Sequence, residues 1–188
     1  MNKKTHPLAI GRLTRELPLF EVKPGLSIAV LNILGDVELV EAAADALAPR
    51  LAEKSPQVLV TPEAKSIPLA YALAARMKLP YVVLRKGYKS YMGDALSATT
   101  VSITTGAEQT LYLDAKDRAL VEGARIALVD DVVSTGSTLK GVRGLVALAG
   151  GRLVAEAAIC TEGEKGAWPE VIALGHLPLF TGNENAAA

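Results

Sequence analysis

The sequence predicts an α/β fold, an open and mostly parallel sheet flanked by helices, and three observations predict it. Ile126, Ala127, Leu128 and Val129 are apolar without alternation, as in a strand covered on both faces. The succession strand, loop, helix, strand over residues 58–84 recurs over residues 126–159, which is the pattern of right-handed βαβ units. Half of the 188 residues are apolar and only 4% are aromatic. That suits a core of Val, Leu and Ala and supplies few rings for a base-stacking nucleic-acid surface.

Each element has its own signal. Residues 8–20 mix apolar side chains with Arg12, Arg15 and Glu16 and read as short edge strands, and Lys23, Pro24 and Gly25 make a turn. Residues 26–31 are the next strand, ending at Asn32. Gly35 and Asp36 start a helix whose Val37, Val40, Ala44, Leu47 and Leu51 share one face. Pro49 should kink or end it early, because proline removes a backbone donor and clashes with the preceding turn. Residues 58–61 are a short buried strand. Pro68 stands in the first turn of a helix running to about Met77, and residues 81–84 are another strand. Residues 87–100 form a long polar loop, followed by a hairpin of residues 101–104 and 110–113 turning near Gly106. Residues 162–170 read as a loop, residues 171–174 and 177–180 as short terminal strands, and residues 182–188 as a frayed tail. No domain boundary is evident, so residues 1–188 are expected to form one domain.

Charge and cysteine usage exclude several classes. Twenty basic and twenty acidic residues cancel, leaving no field to draw in nucleic acid or anionic lipid. Cys160 is the single cysteine; in an apolar run it is expected to be a core thiol. No apolar run reaches the ~18 residues of a membrane span, and the start lacks the apolar stretch of a signal peptide. The expectation is a soluble, cytoplasmic protein.

The chemistry concentrates where the strand at 126–129 ends. Asp130 and Asp131 follow it directly, and Ser134, Thr135, Gly136, Ser137 and Thr138 then open a helix through Leu139, Val142, Leu145 and Val146. A hydroxyl-rich turn with one glycine at a helix N-terminus presents amides to an anion. Two carboxylates beside it accept hydrogen bonds from vicinal hydroxyls, so the pair suits a sugar phosphate. No GxxxxGK[ST] and no GxGxxG occurs in the chain.

This stretch, IALVDDVVSTGST, resembles the 5-phosphoribosyl 1-pyrophosphate (PRPP) signature of the type I phosphoribosyltransferases. VTPEAKSIPLAYAL and RKGYK also resemble segments of the adenine and xanthine enzymes, and the likeness covers about residues 27–162. The resemblance implies a type I phosphoribosyltransferase-like sheet as a core over about 27–162, with a small hood from about 8–20 and 171–180. It implies that Asp130 and Asp131 are catalytic and hold the ribose hydroxyls, and that Ser134 to Thr138 hold the 5-phosphate. It also implies that Glu63, Ala64, Lys65 and Ser66 form a pyrophosphate loop. Lys65, Arg85, Lys86 and Lys89 would then supply the cations that pyrophosphate needs. Mg2+ would be held through PRPP and water, touching Asp130 and Asp131 at most.

The same resemblance implies purine salvage: a free purine base and PRPP give a nucleoside 5'-monophosphate and pyrophosphate, in a homodimer that takes no nucleic acid and no membrane as partner. Asn32, Val132 and Glu162 are the implied base contacts. Xanthine enzymes carry a lysine after the residue matching Glu162, where this chain has Gly163, and adenine enzymes carry a loop glutamate where it has Thr104. Adenine and the 6-oxopurines therefore both stay open. The alternative is a non-catalytic PRPP-sensing regulator of nucleotide metabolism. Trp168 reads as a packed loop anchor more readily than as a cap on the base, and His176 as a structural residue.

Overall fold

The computed structural model describes residues 4–101 and 108–181. Two strands, β1 (Thr5–Ile10) and β2 (Leu13–Lys23), open the chain as an antiparallel hairpin, and β3 (Leu26–Ala29) returns along β2. Helix α1 (Val37–Ala52) is capped by the Asp36 carboxylate, which accepts the Leu39 N–H and so satisfies one free donor of the first turn. Pro49 does not end it. Only one ladder bond is lost, and the last turn is fixed because Leu47 and Leu51 are fully buried.

Strand β4 (Val58–Pro62), helix α2 (Ile67–Met77) and strand β5 (Tyr81–Leu84) make the first parallel unit. Lys78 closes α2 in a left-handed cap at φ 55. The hairpin that follows, β6 (Leu96–Val101) and β7 (Glu108–Leu113), starts earlier than its sequence suggests. Alternation is weak in the run Ser97, Ala98, Thr99, Thr100, yet β-branched residues fit a pleated surface, so the polar loop ends before Leu96. Thr104 and Gly106 lie outside the described residues, as does the tail 182–188. A single turn, α3 (Arg118–Val121), leads to β8 (Arg125–Val133), α4 (Ser137–Leu148), β9 (Arg152–Glu162), β10 (Val171–Leu177) and β11 (Leu179–Thr181). β8 extends four residues past the apolar run and carries both aspartates in the strand.

The central sheet has the order β10-β9-β8-β4-β5 and is parallel throughout. Its faces are covered differently. Ala127 and Val129 of β8 point into a cluster with α1, α2 and the small sheet, whereas Ile126 and Leu128 point into one with α4 and β7. Burial on both sides is why β8 shows no alternation.

The small sheet has the order β1-β2-β3-β11, which corrects the expected boundaries at both ends. Of residues 171–180, only the last few join it. Residues 171–177 become the edge strand of the central sheet, pairing in parallel with β9 and burying Val171 and Leu177. Residues 27–29, expected in the core, belong to the small sheet. The shift at residues 171–177 has a physical reason. The chain after the β9–β10 crossover arrives parallel to β9, and a parallel edge must be satisfied before the chain can turn back.

Candidate active site

In an open parallel sheet, ligands gather outside the carboxyl ends of the strands, where successive crossovers leave in opposite directions. Here the chain steps from β4 outward to β5 and from β8 outward to β9, so that point lies between β4 and β8. A cleft of about 350 Å³ opens there. Strand order lays its stations in a row: Glu162 at the end of β9, Asp130 and Asp131 on β8, the loop Glu63 to Ser66 after β4, and Lys86 after β5. Three strand steps of about 4.8 Å place roughly 14 Å between the first and the last.

The pleat separates the two aspartates. Successive side chains leave a strand on opposite faces, so Asp130 is buried at 7% exposure while Asp131 is only half-buried. Asp130 Oδ1 accepts the Ser66 hydroxyl at 3.0 Å and the Asp131 N–H at 2.9 Å. Burial, and after it the neighbouring Asp131 charge, push the Asp130 carboxyl up to about 7. Ser66 is itself 1% exposed, so its hydroxyl ties the loop to β8.

The loop Glu63, Ala64, Lys65, Ser66 contains a cis peptide between Glu63 and Ala64. Glu63 Oε1 accepts the Lys86 N–H at 2.7 Å, and its other oxygen pairs with Arg85. Arg85 also donates to the Tyr91 hydroxyl at 3.2 Å. Ala64, Lys65 and Lys86 line the cleft with Glu63; Arg85 and Lys89 do not. Arg85 is occupied in fixing Glu63, and the Lys89 N–H points to Met92 Sδ at 3.3 Å in a one-turn 3₁₀ helix, Ser90–Met92.

Ser134, Thr135, Gly136, Ser137 and Thr138 enclose a second, smaller hollow of about 80 Å³ at the N-terminus of α4, next to Asp130. Gly136 sits at φ 72 as the residue before the helix, and no side chain caps α4. The first-turn amides are left for an anion. Trp168 reaches this loop from the β9–β10 crossover, donating its indole N–H to the Ser134 carbonyl at 3.0 Å. It is the anchor expected of it. A Cβ on Gly136 would lie 2.0 Å from the Trp168 ring, so the glycine is required by protein as well as by backbone conformation.

At the other end, Val132 and Glu162 line the cleft; Asn32 does not. Its carboxamide accepts the Leu34 N–H at 3.3 Å. Ile28, Ala29, Val30 and Leu31 line that end instead. Ile28 is in register with Phe20 on β2 and Leu179 on β11, and paired residues share a sheet face, so the three make an apolar row. Phe20 is 63% exposed and Leu179 41%. The sequence signal for this wall was available only as an apolar strand, since its neighbours come from both ends of the chain. His176 meets Thr161 through Nδ1 at 3.0 Å. Cys160 is buried, and burial foremost, then Asp131 and Glu162, push its thiol up to about 12.

An uncapped helix start, two neighbouring carboxylates and a lysine-bearing loop meet at one edge of the sheet, and comparison with known proteins says which family carries them. The phosphoribosyl transferase domain family matches residues 31–171; the chain belongs to it, and it is a phosphoribosyltransferase enzyme. It is 33% identical over 138 residues to the adenine phosphoribosyltransferase of Clostridium botulinum (strain Eklund 17B / Type B), covering 70% of this chain and 74% of that one. It is 32% identical over 125 residues to the purine biosynthesis transcriptional repressor PurR of Bacillus subtilis (strain 168), covering 66% of this chain. Only 43% of the repressor's length is spanned. Among solved structures, the adenine phosphoribosyltransferase of Thermoanaerobacter pseudethanolicus shares the fold, with a TM-score of 0.65 at 19% identity over 92% of this chain and 95% of that one.

Proposed function

We propose that the chain transfers the 5-phosphoribosyl group of PRPP to adenine, releasing AMP and pyrophosphate. The observation that carries this reading is the row of stations along the sheet edge. The donor's 5-phosphate enters the amide turn before α4, its ribose hydroxyls donate to Asp130 and Asp131, and its pyrophosphate lies along the Glu63 to Ser66 loop toward Lys86. The free base then meets C1 from the β9 side. As the C1–O bond to pyrophosphate breaks and the bond to the base nitrogen forms, positive charge develops on the ribose ring and negative charge on the leaving group. The aspartates face the first and Lys65 and Lys86 the second, so preorganised charge acts where the reaction creates it, and strand spacing holds the reactants in line.

Among the described residues, no group of three or more His, Cys, Asp or Glu could hold a metal. The donor set fits a magnesium ion carried chiefly by PRPP, with Asp131 the more accessible of the two carboxylates near it. When bound, such an ion would supply positive charge to the pyrophosphate.

The choice of adenine rests on the base end. Glu162 offers an acceptor there, and the lysines that line the cleft, Lys65 and Lys86, stand at the opposite end. An exocyclic amine is matched by a carboxylate; a 6-oxo group asks for a donor. The relatives named adenine phosphoribosyltransferases favour the same choice. A homodimer in the cytoplasm belongs to this reading. Among the described residues no helix is long and apolar enough to cross a membrane.

Pyrophosphate release from PRPP and magnesium, followed separately with adenine, hypoxanthine, guanine and xanthine, tests the proposal. Turnover with adenine alone supports it, and turnover only with a 6-oxopurine transfers the reading to that base. The likeness to the PurR repressor keeps one other reading: PRPP bound without turnover of any base assigns the chain to PRPP sensing.

A further inference from the structure

We propose that Trp168 is a positioning residue for the donor's 5-phosphate, holding the phosphate loop in its binding shape from outside the loop. This rests on the reading of the turn before α4 as the phosphate seat. The turn has little of its own to hold it: α4 lacks a side-chain cap, and among the described residues the Thr135 and Ser137 hydroxyls bond only to each other, at 3.1 Å. A helix start whose amides must stay free for a ligand gains order only from somewhere else.

Trp168 supplies that order through two contacts. Its indole N–H holds the Ser134 carbonyl at 3.0 Å. Its six-membered ring lies against Gly136 so closely that a Cβ there would meet three ring carbons at 2.0, 2.8 and 2.9 Å. The ring therefore covers the turn at the residue with φ 72, and Trp168 is not among the residues that line the hollow.

The indole is itself well founded. The Trp168 carbonyl accepts the Val171 N–H at 3.2 Å as β10 begins, and the ring packs against the buried cluster on the α4 side of the sheet. Two residues on, Glu170 pairs at 3.1 Å with Arg143 of α4. Arg143 also grips the buried Glu156 of β9 through Nε and Nη2, each donating to one carboxylate oxygen. The crossover is thus fastened to α4 and β9 before it presents the ring. Because the same crossover leaves β9 directly after Glu162, one connection links the base end of the cleft to its phosphate end.

The test compares ligands that use the two loops differently. Ribose 5-phosphate requires the turn at Ser134 to Thr138, whereas magnesium pyrophosphate requires the loop at Glu63 to Ser66. Calorimetric titration of the wild type, Trp168→Phe and Trp168→Ala with each ligand separates them. The phenylalanine variant keeps a ring and loses the N–H, so it serves where the alanine variant fails to fold. A lost hydrogen bond of about 1.4 kcal/mol corresponds to tenfold, so Trp168→Phe should weaken ribose 5-phosphate about tenfold and pyrophosphate less than about twofold. In steady state KM for PRPP should rise with kcat largely retained. Equal weakening of both ligands would mark a general structural role, and unchanged ribose 5-phosphate binding would remove the role altogether; either outcome overturns the proposal. Failure of the wild type to bind ribose 5-phosphate would instead overturn the assignment of the turn on which the proposal rests.

Discussion

The two loops that build the cleft belong to the same kind of unit, strand then loop then helix, yet they are held in opposite ways. The loop after β4 is tied inward. Glu63 fastens it to β5 through Arg85 and the Lys86 N–H, and Ser66 fastens it to β8 through Asp130. Among the described residues the loop after β8 makes no such side-chain ties to its neighbours in the sheet, and it is braced by an indole arriving 34 residues later in the chain. A loop that must present side chains can use its own backbone and side chains for anchorage. One that must present bare amides has to borrow its anchorage from elsewhere.

The largest effect should come from the strand between the loops. Asp130→Asn with Asp131→Asn should lower kcat/KM by at least about 10²–10³-fold, the scale of losing a transition-state electrostatic contact, while circular dichroism stays native. An active, normally folded double variant would remove the ribose assignment.

Gly136→Ala should follow, because it combines a left-handed residue, costing roughly 1–2 kcal/mol, with a clash against Trp168. Gly166→Ala in the crossover is its control: φ is 87 there, and nothing lies within 4 Å of the added Cβ. Thermal unfolding should drop for both, and PRPP affinity should collapse for Gly136→Ala alone. Equal affinity losses would contradict the external brace.

Glu63→Gln sharpens the other side of the comparison. Arg85 loses its partner and the inward tie slackens, so KM for PRPP should rise by about three- to tenfold, corresponding to about 0.7–1.4 kcal/mol, with ribose 5-phosphate binding unchanged. Weakened ribose 5-phosphate would show that the loops are not independently held.

The smallest effect is a pH dependence. Asp130 has its carboxyl raised to about 7, well above the ordinary value of about 3.9. A raised folded-state value means the native protein holds that proton more tightly than the unfolded chain does. The stabilisation is complete below about 4 and is lost as pH rises through about 7. At pH 8 Asp130→Asn should therefore unfold at a higher temperature than the wild type, although it is less active. Ribose 5-phosphate affinity should fall below about pH 7 more steeply in the wild type than in Asp130→Asn, a comparison that cancels the ligand's own titration. Parallel profiles would show that Asp130 stays ionised.

Much of this was legible in the residues. The apolar run into Asp130 and Asp131, the glycine in a hydroxyl-rich turn and the two βαβ units rest on local pattern, and local pattern survives folding. What sequence could not give was which polar groups are consumed by one another. Arg85 stands beside Glu63, and the Asn32 carboxamide accepts the Leu34 N–H, contacts that no spacing in the sequence announces. Ser66 turns out to be a tie between β4 and β8. The stretch 171–180 reads as two short strands of one hood, 171–174 and 177–180, whereas residues 171–177 pair with β9 and only 179–181 with β3, and partner choice between sheets is a tertiary decision. Trp168 was readable as an anchor, but the loop it anchors lies too far along the chain for any spacing rule.

The stations along the sheet edge also bear on how such an enzyme changes its diet. On the proposed reading, donor recognition is divided among β8, β4 and β5, whereas the acceptor is met by the tip of β9 and the small sheet beyond it. On that reading, exchanging residues at that one margin should alter which heterocycle is welcome without disturbing the machinery that activates the sugar. A lineage built on this plan can diversify its acceptors one strand at a time.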